Sequence, residues 1–133
     1  MGASGSCLCG AVQFSVSQPL LDVHACHCTM CRKQSGHFVA GASAPRAAVR
    51  IEGAAAITWF TSSPGIRRGF CRNCGSHLFW DQASSGTLDI NMGSIDGPTG
   101  LKLESHIFCA DKGDYYEIAD GLPRYAAYRA GHA

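Results

Sequence analysis

The chain has 133 residues and a mass of 14.0 kDa, the size of one ordinary domain. Hydrophobic residues make up 46% of it, enough for a sizeable core and too many for a disordered chain; charged residues, at 16%, fall below the roughly 25% typical of globular proteins. A formal net charge of +1 excludes the basic footprint of a nucleic-acid or anionic-membrane binder.

From the start of the chain, residues 1–21 carry no charge, but Gly2, Gly5, Gly10 and Pro19 break the apolar run and no basic segment leads it. The stretch reads as neither a signal peptide nor a membrane span, and the expectation is a soluble, cytoplasmic protein. Period-two alternation then predicts strands at Val12–Val16 and Leu21–Ala25, the second running into Cys26. A turn or two of helix is expected from Thr29, over Met30–Gln34. Further strands are predicted at His37–Ala42, Ala48–Glu52, Ile57–Thr61, Ile66–Phe70, His77–Trp80, Leu88–Met92 and His106–Cys109, with Pro/Gly/Ser/Asp turns between them. The segment Tyr115–Pro123 has little periodicity and reads as a closing segment over the sheet. The pattern is that of a mainly β, single domain of short antiparallel strands over residues 1–133.

The eight cysteines fall as Cys7-x-Cys9, Cys26-x-Cys28-x-x-Cys31, Cys71-x-x-Cys74 and a lone Cys109. Pairs this close are poor cross-linking disulfides but aim two sulfurs at one ion, so metal binding in a reducing compartment is the better reading. Structural zinc takes four ligands, and catalytic zinc takes three with one position open. Cys71-Arg72-Asn73-Cys74-Gly75 and Cys7-Leu8-Cys9-Gly10 share one format, a short pair followed by glycine, and together make a four-sulfur structural site. Cys26, Cys28 and Cys31 remain, three sulfurs that cap one face of an ion and leave room for a water or a substrate thiol. The spacing alone also allows a second closed site with His27, His37 or Cys109 as fourth ligand, or an iron–sulfur cluster on the triad plus Cys109. Arg32 and Lys33 after the triad, and Arg67, Arg68 and Arg72 around the knuckle, are cations suited to stabilising thiolates.

Three motifs carry a resemblance over nearly the whole chain: Gly5-Ser6-Cys7-Leu8-Cys9-Gly10-Ala11-Val12; Cys26-His27-Cys28-x-x-Cys31-Arg32-Lys33-x-Ser35-Gly36; and Phe70-Cys71-x-x-Cys74-Gly75-Ser76-x-Leu78. With His106-Ile107-Phe108 and Asp120-Gly121-Leu122-Pro123, they resemble the glutathione-dependent formaldehyde-activating enzyme family. The resemblance implies a small zinc-binding β-tent. It implies two zinc ions, a structural one on Cys7, Cys9, Cys71 and Cys74 and a catalytic one on Cys26, Cys28 and Cys31. It also implies a carbon–sulfur lyase that adds glutathione, or another small thiol, reversibly to formaldehyde or a related small aldehyde. His27, His37 and Ser35 are then candidate proton donors, and Arg32 or Lys33 a candidate partner for a glutathione carboxylate. The sequence departs from the family in the ring of His37 beside the triad and in Cys109, which reads as a buried core thiol. Two other function classes stand beside the enzyme: a non-catalytic zinc module that binds a protein, and a thiol-based zinc or redox sensor.

Overall fold

A computed structural model describes residues 2–129. The protein is mainly β, with ten strands and one short α-helix among the described residues. It falls into two compact units, Met1–Leu21 with Ala42–Gly100, and Asp22–Gly41 with Leu101–Ala133.

The first unit contains two antiparallel arrays. In the smaller, β1 (Ser4–Ser6) pairs with β2 (Gln13–Val16), which pairs on its other side with β5 (Val49–Glu52). Alternation explains β2: Phe14 and Val16 are buried while Gln13 and Ser15 are exposed. The larger array is a meander of β6 (Ile57–Ser63), β7 (Ile66–Cys71), β8 (His77–Gln82) and β9 (Thr87–Asn91). Part of β4 (Val39–Pro45), from Ala42 onward, also belongs to this unit, where Ser43 donates a hydrogen bond to Asp89 at 2.7 Å.

Phe79 joins the two arrays, meeting Phe14 edge-on at 5.6 Å and stacking on Trp59 at 6.2 Å between ring centroids. Leu78, Ile90 and Val12 are completely buried around them. Each such side chain contributes about 1.5–3 kcal/mol through burial. On the same array the Arg67 guanidinium lies 4.0 Å from the Trp59 ring centre and bonds the buried Asp81 at 2.8 Å; Arg46 approaches the other Asp81 oxygen at 2.6 Å.

In the second unit, β3 (Leu21–Cys26, all but its first residue) lies parallel to β10 (Ser105–Ile107), with Cys26 opposite Ile107. The helix α1 (Thr29–Ser35) follows β3 directly. Its cap is Cys28, whose sulfur accepts the Cys31 N–H at 3.3 Å, and Gly36 ends it at φ 92°, donating its N–H to the Arg32 carbonyl.

The expected strands and helix are present, with three differences. β1 was not foreseen. The strand expected from His37 begins at Val39, because Gly36 and His37 serve the end of α1. The strand expected at His106–Cys109 stops at Ile107: Phe108 is left-handed at φ 54°, and Cys109–Asp111 form a 3-10 turn. No helix among the described residues is long and apolar enough to cross a membrane.

Candidate metal centres

In the first unit, two loops of the same construction bring four sulfurs together. The Cys7 loop closes through Gly10 N–H to the Cys7 carbonyl and Cys7 N–H to the Val12 carbonyl, with Gly10 at φ 82°. The Cys71 loop closes through Gly75 N–H to the Cys71 carbonyl and Cys71 N–H to the Ser76 carbonyl, with Gly75 at φ 78°. Such values of φ strain any residue with a Cβ, which is why each sulfur pair is followed by glycine.

The sulfurs of Cys7, Cys9, Cys71 and Cys74 all lie within 4.8 Å of one another. Four sulfurs bound tetrahedrally to zinc at about 2.3 Å stand about 3.8 Å apart. Cys7 and Cys9 are separated by 3.6 Å, and Cys9 and Cys71 by 3.8 Å. The donor set therefore fits such an ion.

The protonation tendencies within the cluster diverge. Hydrogen bonds from Ser76, first its side chain and then its backbone, bring Cys74 down to about 5. For Cys9 the Ala11 backbone bond pulls downward, but burial and the neighbouring Cys7, Cys74 and Cys71 push it up to about 11. Four sulfurs this close cannot all ionise without a cation among them.

In the second unit, the sulfurs of Cys26, Cys28 and Cys31 also lie within 4.8 Å of one another. Cys26 ends β3, Cys28 caps α1 and Cys31 is on the first turn, so one strand-to-helix corner positions all three. Cys26 and Cys31 are buried with Ile107, and Val39, Phe108 and Tyr125 pack against them. Cys28 and Cys31, then burial, push the Cys26 thiol strongly up, as expected where sulfurs crowd without a counter-ion. Both clusters could hold metal ions.

Among the described residues, no His, Cys, Asp or Glu atom joins the triad at this spacing. Cys109 is half-buried on its 3-10 turn, neither a fourth member of the group nor the buried core thiol suggested by the sequence. His37 is turned to the Tyr115 hydroxyl, which it meets through Nδ1 at 2.5 Å. The Ser35 hydroxyl lies 2.8 Å from the Cys31 carbonyl and 2.7 Å from the His37 carbonyl, so its hydrogen serves the helix end. Arg32 donates to the Asp111 carbonyl at 2.9 Å, and Lys33 is exposed.

His27 is completely buried between two cysteines of the triad in sequence. Its Nδ1 meets the Tyr116 hydroxyl, and its Nε2 meets His106 Nδ1 at 2.9 Å; His106 Nε2 meets the Asp120 carboxylate at 2.7 Å. Burial, with His106, His37 and Lys112 nearby, brings His27 down to about 4, so the ring is neutral at physiological pH. Asp120 is held below the usual carboxylate range by its bond with His106 and by the Leu122 N–H. Phe38 packs on His27, and the Tyr116 ring stands edge-on to His37 at 4.6 Å. By sequence, His27 is a candidate proton donor and His106 and Asp120 lie in motifs that carry the family resemblance, but nothing in the sequence joins them to one another or to Tyr116 in its closing segment.

Comparison with known proteins gives concordant results. The glutathione-dependent formaldehyde-activating enzyme family matches over residues 2–111. An uncharacterized lyase of Schizosaccharomyces pombe is 28% identical over 120 residues, covering 87% of this chain and 85% of its own. A crystal structure of a Rhodobacter sphaeroides protein is 28% identical with a TM-score of 0.61, over 73% of this chain and 91% of that one. The match runs through both cysteine clusters and through His106, and the chain belongs to the glutathione-dependent formaldehyde-activating enzyme family.

Proposed function

We propose that the protein is a zinc-dependent carbon–sulfur lyase, acting in the cytoplasm as a single-domain enzyme. It makes and breaks the bond between glutathione, or a related small thiol, and formaldehyde or a related aldehyde. The observation that carries this reading is the contrast between the two sulfur groups, four in one and three in the other. In this reading Cys7, Cys9, Cys71 and Cys74 hold a structural zinc, and Cys26, Cys28 and Cys31 hold a catalytic one. A zinc held by three protein ligands supplies a Lewis-acid position at which a thiol is favoured as thiolate near neutral pH.

The remaining chemistry falls to the chain and the substrates. The thiolate sulfur forms a bond to the carbonyl carbon, the C=O π pair moves onto oxygen, and that oxygen takes a proton; the reverse step breaks the C–S bond and returns the proton. Val39, Phe108 and Tyr125 shield the triad and lower the local polarity, which strengthens charge interactions there. His27, His37 and Ser35 are the candidate proton partners, and each is hydrogen-bonded in the structure: His27 to Tyr116 and His106, His37 to Tyr115, and Ser35 to the Cys31 and His37 carbonyls.

The test is exchange of glutathione between its free and hydroxymethylated forms, followed by NMR above the uncatalysed rate, together with metal analysis. Two zinc ions per chain and saturable acceleration support the lyase. Two tightly closed zinc sites without acceleration favour a non-catalytic binding module, and loss of zinc on mild oxidation without acceleration favours a redox sensor.

A further inference from the structure

Between the two strand arrays of the first unit lies a cavity of about 140 Å³ that no cysteine lines. One wall is apolar. Val49 and Ile51 share the half-buried face of β5, alternating with exposed Arg50 and Glu52, and Trp59 of β6 and Leu88 of β9 complete it. The other wall is charged, made by Arg46, Arg67 and Asp81. An apolar cavity of about 150 Å³ admits benzene, so this one takes a body of about six carbon atoms.

The two arginines are used differently. Arg46 is committed within the chain: Nη1 approaches one Asp81 oxygen at 2.6 Å, and Nη2 donates to the Gln82, Ser85 and Thr87 carbonyls at 3.2, 2.9 and 3.1 Å. Arg67 donates through Nε alone, to the other Asp81 oxygen at 2.8 Å, and its guanidinium lies 4.0 Å from the Trp59 ring centre. Its Nη1 and Nη2 meet no acceptor among the described residues. The bond on one edge and the ring on one face hold this guanidinium in place. Trp59 is itself seated over Gly69 of β7, where a Cβ would stand 2.8 Å from the indole. Two terminal nitrogens left on a fixed plane form the fork that takes both oxygens of a carboxylate. Burial raises the Asp81 carboxyl, but Arg67 and Arg46 hold it below the usual range, so it is ionised at neutral pH. Two arginines against one aspartate leave this wall one positive charge, the balance for a monoanion.

We infer that this cavity binds a small monocarboxylate with a compact apolar body, its carboxylate on the terminal nitrogens of Arg67 and its body against Val49, Ile51 and Leu88. A neutral or cationic molecule of the same shape gains the apolar contact but leaves the fork to water. Acetate gains the fork with little apolar burial. Neither half suffices. The site stands apart from the lyase reading, because it belongs to the unit that carries the four-sulfur group and not to the unit of the triad.

The experiment titrates the isotope-labelled full chain, as purified, with benzoate and hexanoate, and with benzyl alcohol, benzylammonium and acetate as controls, followed by NMR. At least one of the two monocarboxylates is expected to saturate with a Kd of about 1 mM or tighter, shifting the Trp59 indole and the Val49, Ile51 and Leu88 methyl signals. The controls should bind at least about tenfold more weakly. Arg67→Gln, which removes the fork, should weaken the carboxylate by about tenfold or more, and Val49→Phe, which fills the cavity and keeps both arginines, should do the same. Saturation by neither monocarboxylate, equal affinity for benzoate and benzyl alcohol, shifts confined to the Cys26–Cys31 corner, or unchanged binding in folded Arg67→Gln overturns the site. The wild-type ligand series decides the question even where a variant does not fold.

Discussion

The Leu8 backbone N–H donates to the Ser76 hydroxyl at 2.9 Å, across 68 residues of sequence, and the same hydroxyl lies 3.2 Å from the Cys74 sulfur. One side chain thus fastens the two cysteine loops to each other and biases a sulfur toward thiolate. Ser76→Ala should remove both effects. The expected loss is about 1 kcal/mol in stability from the hydrogen bond, with a rise in the Cys74 pKa and faster loss of metal to a competing chelator. Thermal melts and chelator competition, run on wild type and variant, check the two halves separately.

The two sulfur groups should fail differently. Cys74→Ser removes one arm of the four-sulfur group that links residues from two distant loops. Structural zinc is worth on the order of 10 kcal/mol in small metal-dependent domains, about the net stability of a whole protein, so this variant should be insoluble or unfolded. Cys28→Ser affects a group drawn from Cys26–Cys31 alone and should leave most of the fold while abolishing thiol-dependent activity. Melts paired with zinc counts check this, and the opposite pattern would show the structural and catalytic roles to be interchanged.

Acid should expose the Asp81 pair. Burial pushes the Asp81 carboxyl up, but Arg67 and Arg46 outweigh it and hold the group below the usual carboxylate range. The unfolded chain, with an aspartate pKa of about 3.9, therefore takes up the proton first as pH falls. The contribution of the pair is full above about pH 4 and is lost as pH drops through the lower folded value. Asp81→Asn should cost on the order of 1–3 kcal/mol at neutral pH, the partly exposed arginines moderating the penalty, and should flatten the acid limb. Denaturant titrations of both proteins between pH 7 and pH 3 provide the comparison; equal slopes below pH 4 would remove Asp81 from the account.

Gly5→Ala tests the strand that the sequence did not announce. A Cβ at Gly5 would stand 2.1 Å from the Ser94 carbonyl oxygen and 2.5 Å from the Phe14 ring, and Gly5 also bridges to Ile95. The backbone cannot yield cheaply there, so a loss of about 2 kcal/mol or more is expected in urea melts.

These residues also show where sequence reading reached and where it stopped. Strands β2 and β9 were legible because one face is apolar and the other polar, the signature of a half-buried sheet. The triad and the two cysteine pairs were legible because their spacing is a local property, whereas the joining of the Cys7 and Cys71 pairs rested on their shared format of a short pair followed by glycine. Ser4-Gly5-Ser6 has neither β propensity nor alternation; β2 on one side and the Ile95 bridge on the other make it a strand. The chain from Tyr116 to Asp120 was illegible for a similar reason. Its members are far apart in sequence, and only the parallel pairing of β3 with β10 and the path of residues 112–124 bring them together.

The second unit is built from Asp22–Gly41 and Leu101–Ala133, which has a consequence during synthesis. A ribosome releases the chain at about 5–20 residues per second, so the Cys26–Cys31 loop emerges several seconds before Ile107, Phe108 and Tyr125, its apolar cover. In that interval the three thiols are bare on a nascent chain, open to oxidants and to whichever soft metal is most abundant. For a corner that could hold a metal ion, the order of translation therefore sets a window for metal capture that closes when Ile107, Phe108 and Tyr125 cover it.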